Sequence, residues 1–382
     1  QSHPAARARN LPSALMTSCP AQPQITELVT QVLALPEKDK TRFERIFRLG
    51  ATTGRTAPPP AMEPWIETHF GSVDAVRQQR IVKITNLVTL EGALFNELRA
   101  RRPIEAPSSG NAEIAEIIQK SMGGAFCTPE QSTPADTFGR LRGRHALTAS
   151  NVAKYDGWHG VIVFDEHNPL RFTPAEVADY VDTAQRWARK SHEIEPGACY
   201  PFFLWNCLWK AGASILHGHA QMVLGQGMHY AKVEAWRQAA GRYQASHGAN
   251  YFSDLIATHR SLDLAIKHGT ATILPSLTPL KEKETIVVAE HLDASLKSAI
   301  ALVLSTMIDR LGVQSFNVAL YQPPLADTPE NWDGFPHIAR IVDRGSLQSK
   351  TADVAAMELF GQSIVTTDPY RLAEALRETA AG

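Results

Sequence analysis

Leu216-His217-Gly218-His219-Ala220-Gln221-Met222-Val223-Leu224 is the stretch whose reading decides the fold. As a β-strand, its side chains alternate between two faces. His217, His219 and Gln221 then share one face, and Leu216, Gly218, Ala220, Met222 and Leu224 share the other. Two imidazoles and an amide on a largely buried strand cost free energy unless they meet a ligand or hydrogen-bond partners. The stretch is therefore read as a strand that lines a site.

Outward from it, one order of elements occurs twice. Gly160–Phe164 reads as a strand, and Thr173-Pro174-Ala175-Glu176 opens a helix running to about His192, with Thr173 as N-cap, Pro174 at the first position and Glu176 completing a capping box. Strands at Pro201–Asn206 and Ser214–Leu224 follow. In the second copy Glu284–Ala289 is a strand, Asp293 caps a helix running to about Leu311, and strands follow at Ser315–Gln322 and His337–Asp343. A last helix starts at Asp368-Pro369 and ends near Thr379. A duplicated strand–helix–strand–strand unit predicts an α+β fold: two tandem units with antiparallel sheets and helices packed on one face. The expected organisation is a helical and loop-rich N-terminal extension over 1–79, a first half over 80–230 carrying the motif, and a degenerate second half over 231–382. The second half has only His337, on a mostly apolar strand, where the first has His217 and His219. Within the extension, Gln24–Leu35 and Lys38–Arg48 read as helices and Ala51–Pro64 as a Gly/Thr/Pro-rich loop; Glu105–Thr137 also reads as loop-rich. The Arg/Ala/Pro-rich residues before Met16 are set aside from fold reasoning.

Composition removes several function classes. The 382 residues carry 38 basic and 39 acidic side chains, a formal net charge of −1, so no nucleic-acid-binding field is expected. No apolar run approaches the roughly eighteen residues a membrane span needs. Cys19, Cys127, Cys199 and Cys207 form no CxxC pair, which favours a reducing, cytoplasmic compartment.

Three chemistries compete for the motif strand. Two histidines supply metal ligands readily, with Cys127 and His167 as further candidates. They also occur as satisfied core residues. The third reading is nucleophilic attack by one imidazole, with a covalent intermediate. Gln221 bears on the choice, because an amide donates and accepts hydrogen bonds but cannot shuttle a proton. A site with an amide there suits a leaving group that departs as a stable anion and an acceptor that is already ionised. That describes transfer of a phosphate-linked group rather than hydrolysis. Asn206, Ser214 and the backbone N–H groups of Ala211-Gly212-Ala213-Ser214 are placed to hold phosphate oxygens, with Gly212 and Gly218 permitting close approach.

Asn206-x7-Ser214-x2-His217-Gly218-His219-Ala220-Gln221 resembles the active-site segment of the transferase branch of the histidine-triad superfamily, which holds galactose-1-phosphate uridylyltransferase and diadenosine tetraphosphate phosphorylase. Leu98-Arg99-Ala100-Arg101-Arg102-Pro103, Thr148-Ala149-Ser150-Asn151, Val354–Gly361 and Ala373–Arg377 resemble further segments of the uridylyltransferase, so the likeness covers roughly residues 80–380. The resemblance implies two tandem histidine-triad-like units, His219 as the nucleotidylated residue, His217 as its support, and Gln221, Ser214 and Asn206 as phosphate contacts. It implies Arg99 and Arg102 as further phosphate contacts and Asn151 as a nucleoside contact. Lys154, three residues on, is read as a phosphate or sulfate contact. The uridylyltransferase's zinc ligands are a Cys-x-x-Cys, a His after the first strand and the first motif His. Here one cysteine of the pair is missing, and Cys127, His167 and His217 remain. No cofactor is required for the chemistry itself. A closer likeness is to the adenylylsulfate:phosphate adenylyltransferases, which implies AMP transfer from adenylylsulfate to inorganic phosphate through an adenylyl-histidine. The alternatives are a diadenosine tetraphosphate or nucleoside-diphosphate-sugar phosphorylase and a hexose-1-phosphate uridylyltransferase. The expected partners are a nucleotide donor and inorganic phosphate, and homodimer formation is compatible with the family.

Overall fold

The duplication closes into a single sheet. The computed structural model describes residues 23–101, 111–349 and 351–382, and its strands in chain order are β1 (Phe47–Arg55), β2 (Gln78–Asn86), β3 (Gly92–Phe95), β4 (Ala146–Ser150), β5 (Trp158–Phe164), β6 (Ala198–Cys207), β7 (His219–Gln226), β8 (Ile266–His268), β9 (Ala271–Pro275), β10 (Thr285–Ala289), β11 (Phe316–Tyr321), β12 (His337–Asp343) and β13 (Ser363–Val365). Nine of them form one sheet in the order β4-β5-β7-β6-β11-β12-β10-β9-β8. The quartet β4-β5-β7-β6 is followed by its counterpart in reverse, β11-β12-β10-β9, as a two-fold repeat requires. Every pairing in it is antiparallel, and β6 meets β11 at the centre with Asn206 opposite Asn317.

Each unit carries its helix on the same face. Helix Pro174–Ile194 starts with the expected capping box: the Thr173 Oγ1 accepts from Glu176 N at 3.3 Å, and Thr173 N donates to Glu176 Oε2 at 2.6 Å. Helix Ala294–Ser305 is capped by Asp293, whose Oδ1 accepts from Leu296 N at 3.0 Å. The register points Ala220, Met222 and Leu224 of β7 toward these helices. Beneath them lies a buried aromatic layer in which Phe164 stacks on Tyr180 at 3.6 Å and Trp205 meets Phe164 and Phe316 edge-on at 5.1 and 5.2 Å.

The opposite face is treated differently in the two halves. Over the second half, Ala231–His247 and Tyr251–Ser261 cover it: Trp236 meets Tyr321 at 5.8 Å and lies under the Arg340 guanidinium at 4.8 Å. A second sheet, β1-β2-β3-β13, docks beside them. Glu91, in the turn between β2 and β3, pairs with Arg340 at 2.7 Å, and Asn86 Nδ2 donates to Tyr251 Oη at 2.7 Å.

Several boundaries differ from the expectations. Residues 51–55 belong to β1, paired with β2 from Phe47–Asn86 to Arg55–Gln78. Leu49-Gly50-Ala51-Thr52-Thr53-Gly54 has no apolar alternation, so it is the partner's ladder that makes it a strand. The expected division at 79/80 falls inside β2, and the extension is therefore part sheet. A helix, Asn111–Lys120, lies within the expected loop region 105–137. The motif strand begins at His219 rather than Ser214, because the chain first closes the 3-10 turn Trp209–Ala211. No described helix is long and apolar enough to cross a membrane.

Candidate active site

In the first half the same face carries the motif. Along β7, His219 stands opposite Val163 and Gln221 opposite Val161 and Leu204, so the pleat puts His159, His219, Gln221, Asn206 and Asn317 on one side. Gly218 is needed at the entrance: a Cβ there would lie 2.8 Å from the Glu166 carbonyl oxygen and from the Phe164 ring.

The hydrogen bonds settle which nitrogen of each ring is bare. His219 Nδ1 lies 2.8 Å from the His217 carbonyl oxygen, which only accepts, so Nδ1 carries the proton and the lone pair sits on Nε2. The ring is 7 % exposed, and burial pushes its pKa down, which keeps it neutral and nucleophilic. Phe126 lies edge-on to it at 5.2 Å.

His217 and His167 follow the same logic toward a different end. His217 Nε2 donates to the Phe164 carbonyl at 2.8 Å, and His167 Nε2 to that of Ile118 at 2.9 Å. In the neutral rings both Nδ1 atoms are then lone pairs, and they face each other at 3.0 Å with Cys127 Sγ at 3.4 and 3.5 Å. Two bare nitrogens and a sulfur at such separations match a cation's ligand shell. Zn–N bonds of ~2.0–2.1 Å and Zn–S bonds of ~2.3 Å at tetrahedral angles give ligand–ligand edges of roughly 3.3–3.6 Å. The two N–S separations fall in that range, and the 3.0 Å N–N separation needs a small widening. Cys127, His167 and His217 thus fit three positions of a zinc site, and among the described residues no fourth Cys, His, Asp or Glu joins them.

The polar groups beyond His219 form two short chains. His159, fully buried, accepts at Nδ1 from Tyr155 N at 2.9 Å and reaches Gln221 Oε1 from Nε2 at 2.8 Å. Tyr155 stacks on its ring at 4.3 Å, and burial pushes the His159 pKa down. On the other side Asn317 Nδ2 donates to Asn206 Oδ1 at 2.7 Å and to the Ala211 carbonyl at 2.9 Å, while Arg344 donates to Asn317 Oδ1 at 2.6 Å and grips Asp353.

The other expected residues are distributed around this core. Asn151 is at its edge, with Nδ2 3.3 Å from His159 Nε2 and Oδ1 accepting from Ala153 N. Lys154 is tied to Ser150 Oγ at 2.7 Å and to the His159 carbonyl at 3.1 Å, which holds it at the rim. Ser214 is exposed in the loop before β7, with no hydrogen bond to a described residue. Gly212 has φ +95°, a conformation suited to glycine, but the turn's amides do not form the expected anion cradle. The N–H groups of Ala211 and Ala213 are bonded to the Leu208 carbonyl and that of Gly212 to Trp209. Arg99 sits in the 3-10 turn Glu97–Arg101 with an exposed side chain that makes no ion pair or side-chain hydrogen bond to a described residue. Arg102 lies outside the described residues.

Sequence reading passed over His159, Asn317 and Arg344. His159 did carry a signal: it opens a strand in period-two phase with Val161 and Val163. Asn317 repeats, in the second copy, the asparagine that the first copy has at Asn206.

No family model and no curated protein matches the sequence. Solved structures do match the fold. An ADP-glucose phosphorylase from Arabidopsis thaliana with bound ADP-glucose superposes with a TM-score of 0.59 at 17% identity, over 76% of this chain and 96% of that one. A GalT-like protein from Arabidopsis thaliana gives a TM-score of 0.55 at 16% identity, covering 67% and 92% of the two chains. A uridylyltransferase gives 0.53 at 16% identity, covering 65% and 88%. The chain is therefore similar in fold to the GalT-like transferases.

Proposed function

We propose that the protein is a phosphorylase-type nucleotidyltransferase that works through a covalent nucleotidyl-histidine at His219. The observation that carries the reading is the bare Nε2 of a buried, neutral imidazole whose Nδ1–H is committed to a carbonyl, beside an amide rather than an acid. In the first step Nε2 attacks the α-phosphorus, the bond to the leaving group breaks, and the leaving group departs with the electron pair. The resulting cationic ring keeps its proton on Nδ1 against the His217 carbonyl. In the second step inorganic phosphate attacks the same phosphorus and the P–N bond breaks, releasing the nucleoside diphosphate. Two in-line displacements give net retention at phosphorus and ping-pong kinetics.

Adenylylsulfate is the donor that best suits a site with no acid at Gln221, since sulfate departs unprotonated; the products are sulfate and ADP. Asn206, Ser214, Lys154, Arg99 and Arg102 are proposed phosphate or sulfate contacts, and Asn151 a nucleoside contact. Zinc, where bound, would be held by Cys127, His167 and His217 and would serve as a structural cross-link. The chain's own contribution there is the His217 carbonyl, which fixes the His219 tautomer. A second reading, ADP-glucose phosphorolysis, is favoured by the fold shared with a phosphorylase of that sugar nucleotide. Phosphate-dependent ADP release from adenylylsulfate, ADP-glucose and diadenosine tetraphosphate, measured side by side, separates them. Release from adenylylsulfate at the highest kcat/KM supports the first reading, and release from another donor alone overturns the substrate assignment.

A further inference from the structure

We infer that His159 and Asn317 are positioning residues that fix the Gln221 and Asn206 carboxamides with their NH2 groups toward the reacting phosphate, so that the second half of the chain takes part in a site housed in the first. The inference deepens the nucleotidyl-transfer reading and rests on it for what the two amides contact.

Each chain of hydrogen bonds begins at a group that can only donate. The Tyr155 backbone N–H donates to His159 Nδ1, so in the neutral ring the proton lies on Nε2. Of the two groups beside His159 Nε2, Asn151 Nδ2 at 3.3 Å can only donate and Gln221 lies nearer at 2.8 Å. The Nε2 proton therefore goes to Gln221, which must present Oε1, and the Gln221 amide nitrogen is left facing away from His159. On the other side the Arg344 guanidinium donates to Asn317 and takes its Oδ1. Asn317 Nδ2 is thereby turned to Asn206, which must present Oδ1 in turn. Neither Gln221 Nε2 nor Asn206 Nδ2 has an acceptor among the described residues. The two side chains share the His219 face. Two pre-oriented neutral donors would bind negative charge developing on non-bridging oxygens without offering a proton to the leaving group. Both outer residues lie across strand pairings: His159 on β5, and Asn317 on β11 opposite Asn206.

The test is a pair of double-substitution cycles with single-turnover labelling as the readout. Asn317→Asp is nearly isosteric. It presents an acceptor to Asn206, whose amide must turn over and aim its oxygen at the phosphate. We expect nucleotidylation of His219 to slow roughly 10–100-fold, with donor affinity and melting temperature little changed. In an Asn206→Ala background the same substitution should cost almost nothing more. An equal cost in both backgrounds would mean that the added charge acts through space, and would overturn the Asn206 arm. His159→Phe should behave likewise with Gln221→Ala, and His159→Gln, which restores a donor, should recover part of the rate. A full rate in His159→Phe would overturn the Gln221 arm. Nitrogen-15 NMR of the wild-type protein provides a readout independent of turnover: the His159 proton is expected on Nε2, and finding it on Nδ1 overturns the orientation whatever the enzyme does. A wild-type protein that takes no label from any donor, yet shows that tautomer, overturns the transfer reading and supports the orientation.

Discussion

The two halves build the same sheet face and use it in opposite ways. In the first, β7 turns His219 toward the Phe126 edge and Gln221 toward His159, with no described helix bundle packed over them as in the second half. In the second, the corresponding strand β12 presents Ile338, Arg340 and Val342 to packed helices. Arg340 is 4 % exposed, held by Glu91 and Glu284 at 2.7 and 2.6 Å and covered by Trp236 and Tyr321. Burial pushes the Glu284 carboxyl up, and Glu91 adds to this by repulsion, while the two carboxylates hold the Arg340 guanidinium charged. Polar groups on this face persist either because they meet a ligand or because they neutralise one another. What lies above each strand decides which: a pair of helices over β12, and the Phe126 and His159 rings beside β7.

The comparison breaks most visibly at His219. His219→Ala is expected to lower turnover on the order of 10⁴-fold while leaving the melting temperature within a few degrees, checked by steady-state rates and calorimetry. Arg340→Leu should do the reverse. It strands two buried carboxylates and should cost about 3–5 kcal/mol in denaturant unfolding. Replacing Glu91 and Glu284 by Leu as well should return much of that loss, and a triple variant as unstable as the single one would contradict the triad account.

Two buried histidines away from the motif set an acid limit. Burial lowers the pKa of His229 and His259 from 6.5 to about 4. The folded state therefore binds fewer protons than the unfolded one between those values, so the stability these rings confer is complete above pH 6.5 and lost as pH falls toward 4. Each is worth up to ~3 kcal/mol across that window. His259→Phe should flatten unfolding free energy against pH by about its share, and an unchanged slope would refute the assignment. The smallest expected effect is Gln221→His, which installs a proton carrier: hydrolysis should rise several-fold relative to transfer, read as the AMP-to-ADP product ratio.

What could be read in advance was local. The Thr173 and Asp293 caps, the β12 bounds and the motif's alternation all lie within a few consecutive residues, and the duplicated order of elements follows from them. What escaped depends on partners far away in the chain. β1 is a strand because β2 lies alongside it. The Ala211–Ala213 amides cannot cradle an anion because the turn has already taken them. The three metal-compatible ligands meet because the Asn111–Lys120 helix and the turn after it bring Ile118 and Cys127 against the motif. Asn317 and Arg344 count only once β11 is seen to lie against β6.

The most direct test is to trap the intermediate. Protein incubated without phosphate, with a donor radiolabelled in its nucleotide, should hold one label per chain through an acid-labile, base-stable P–N bond. Peptide mapping should place that bond on His219, and added phosphate should discharge it as nucleoside diphosphate. Phosphate-dependent turnover with no covalent label, or with label retained in His219→Ala, would contradict the account.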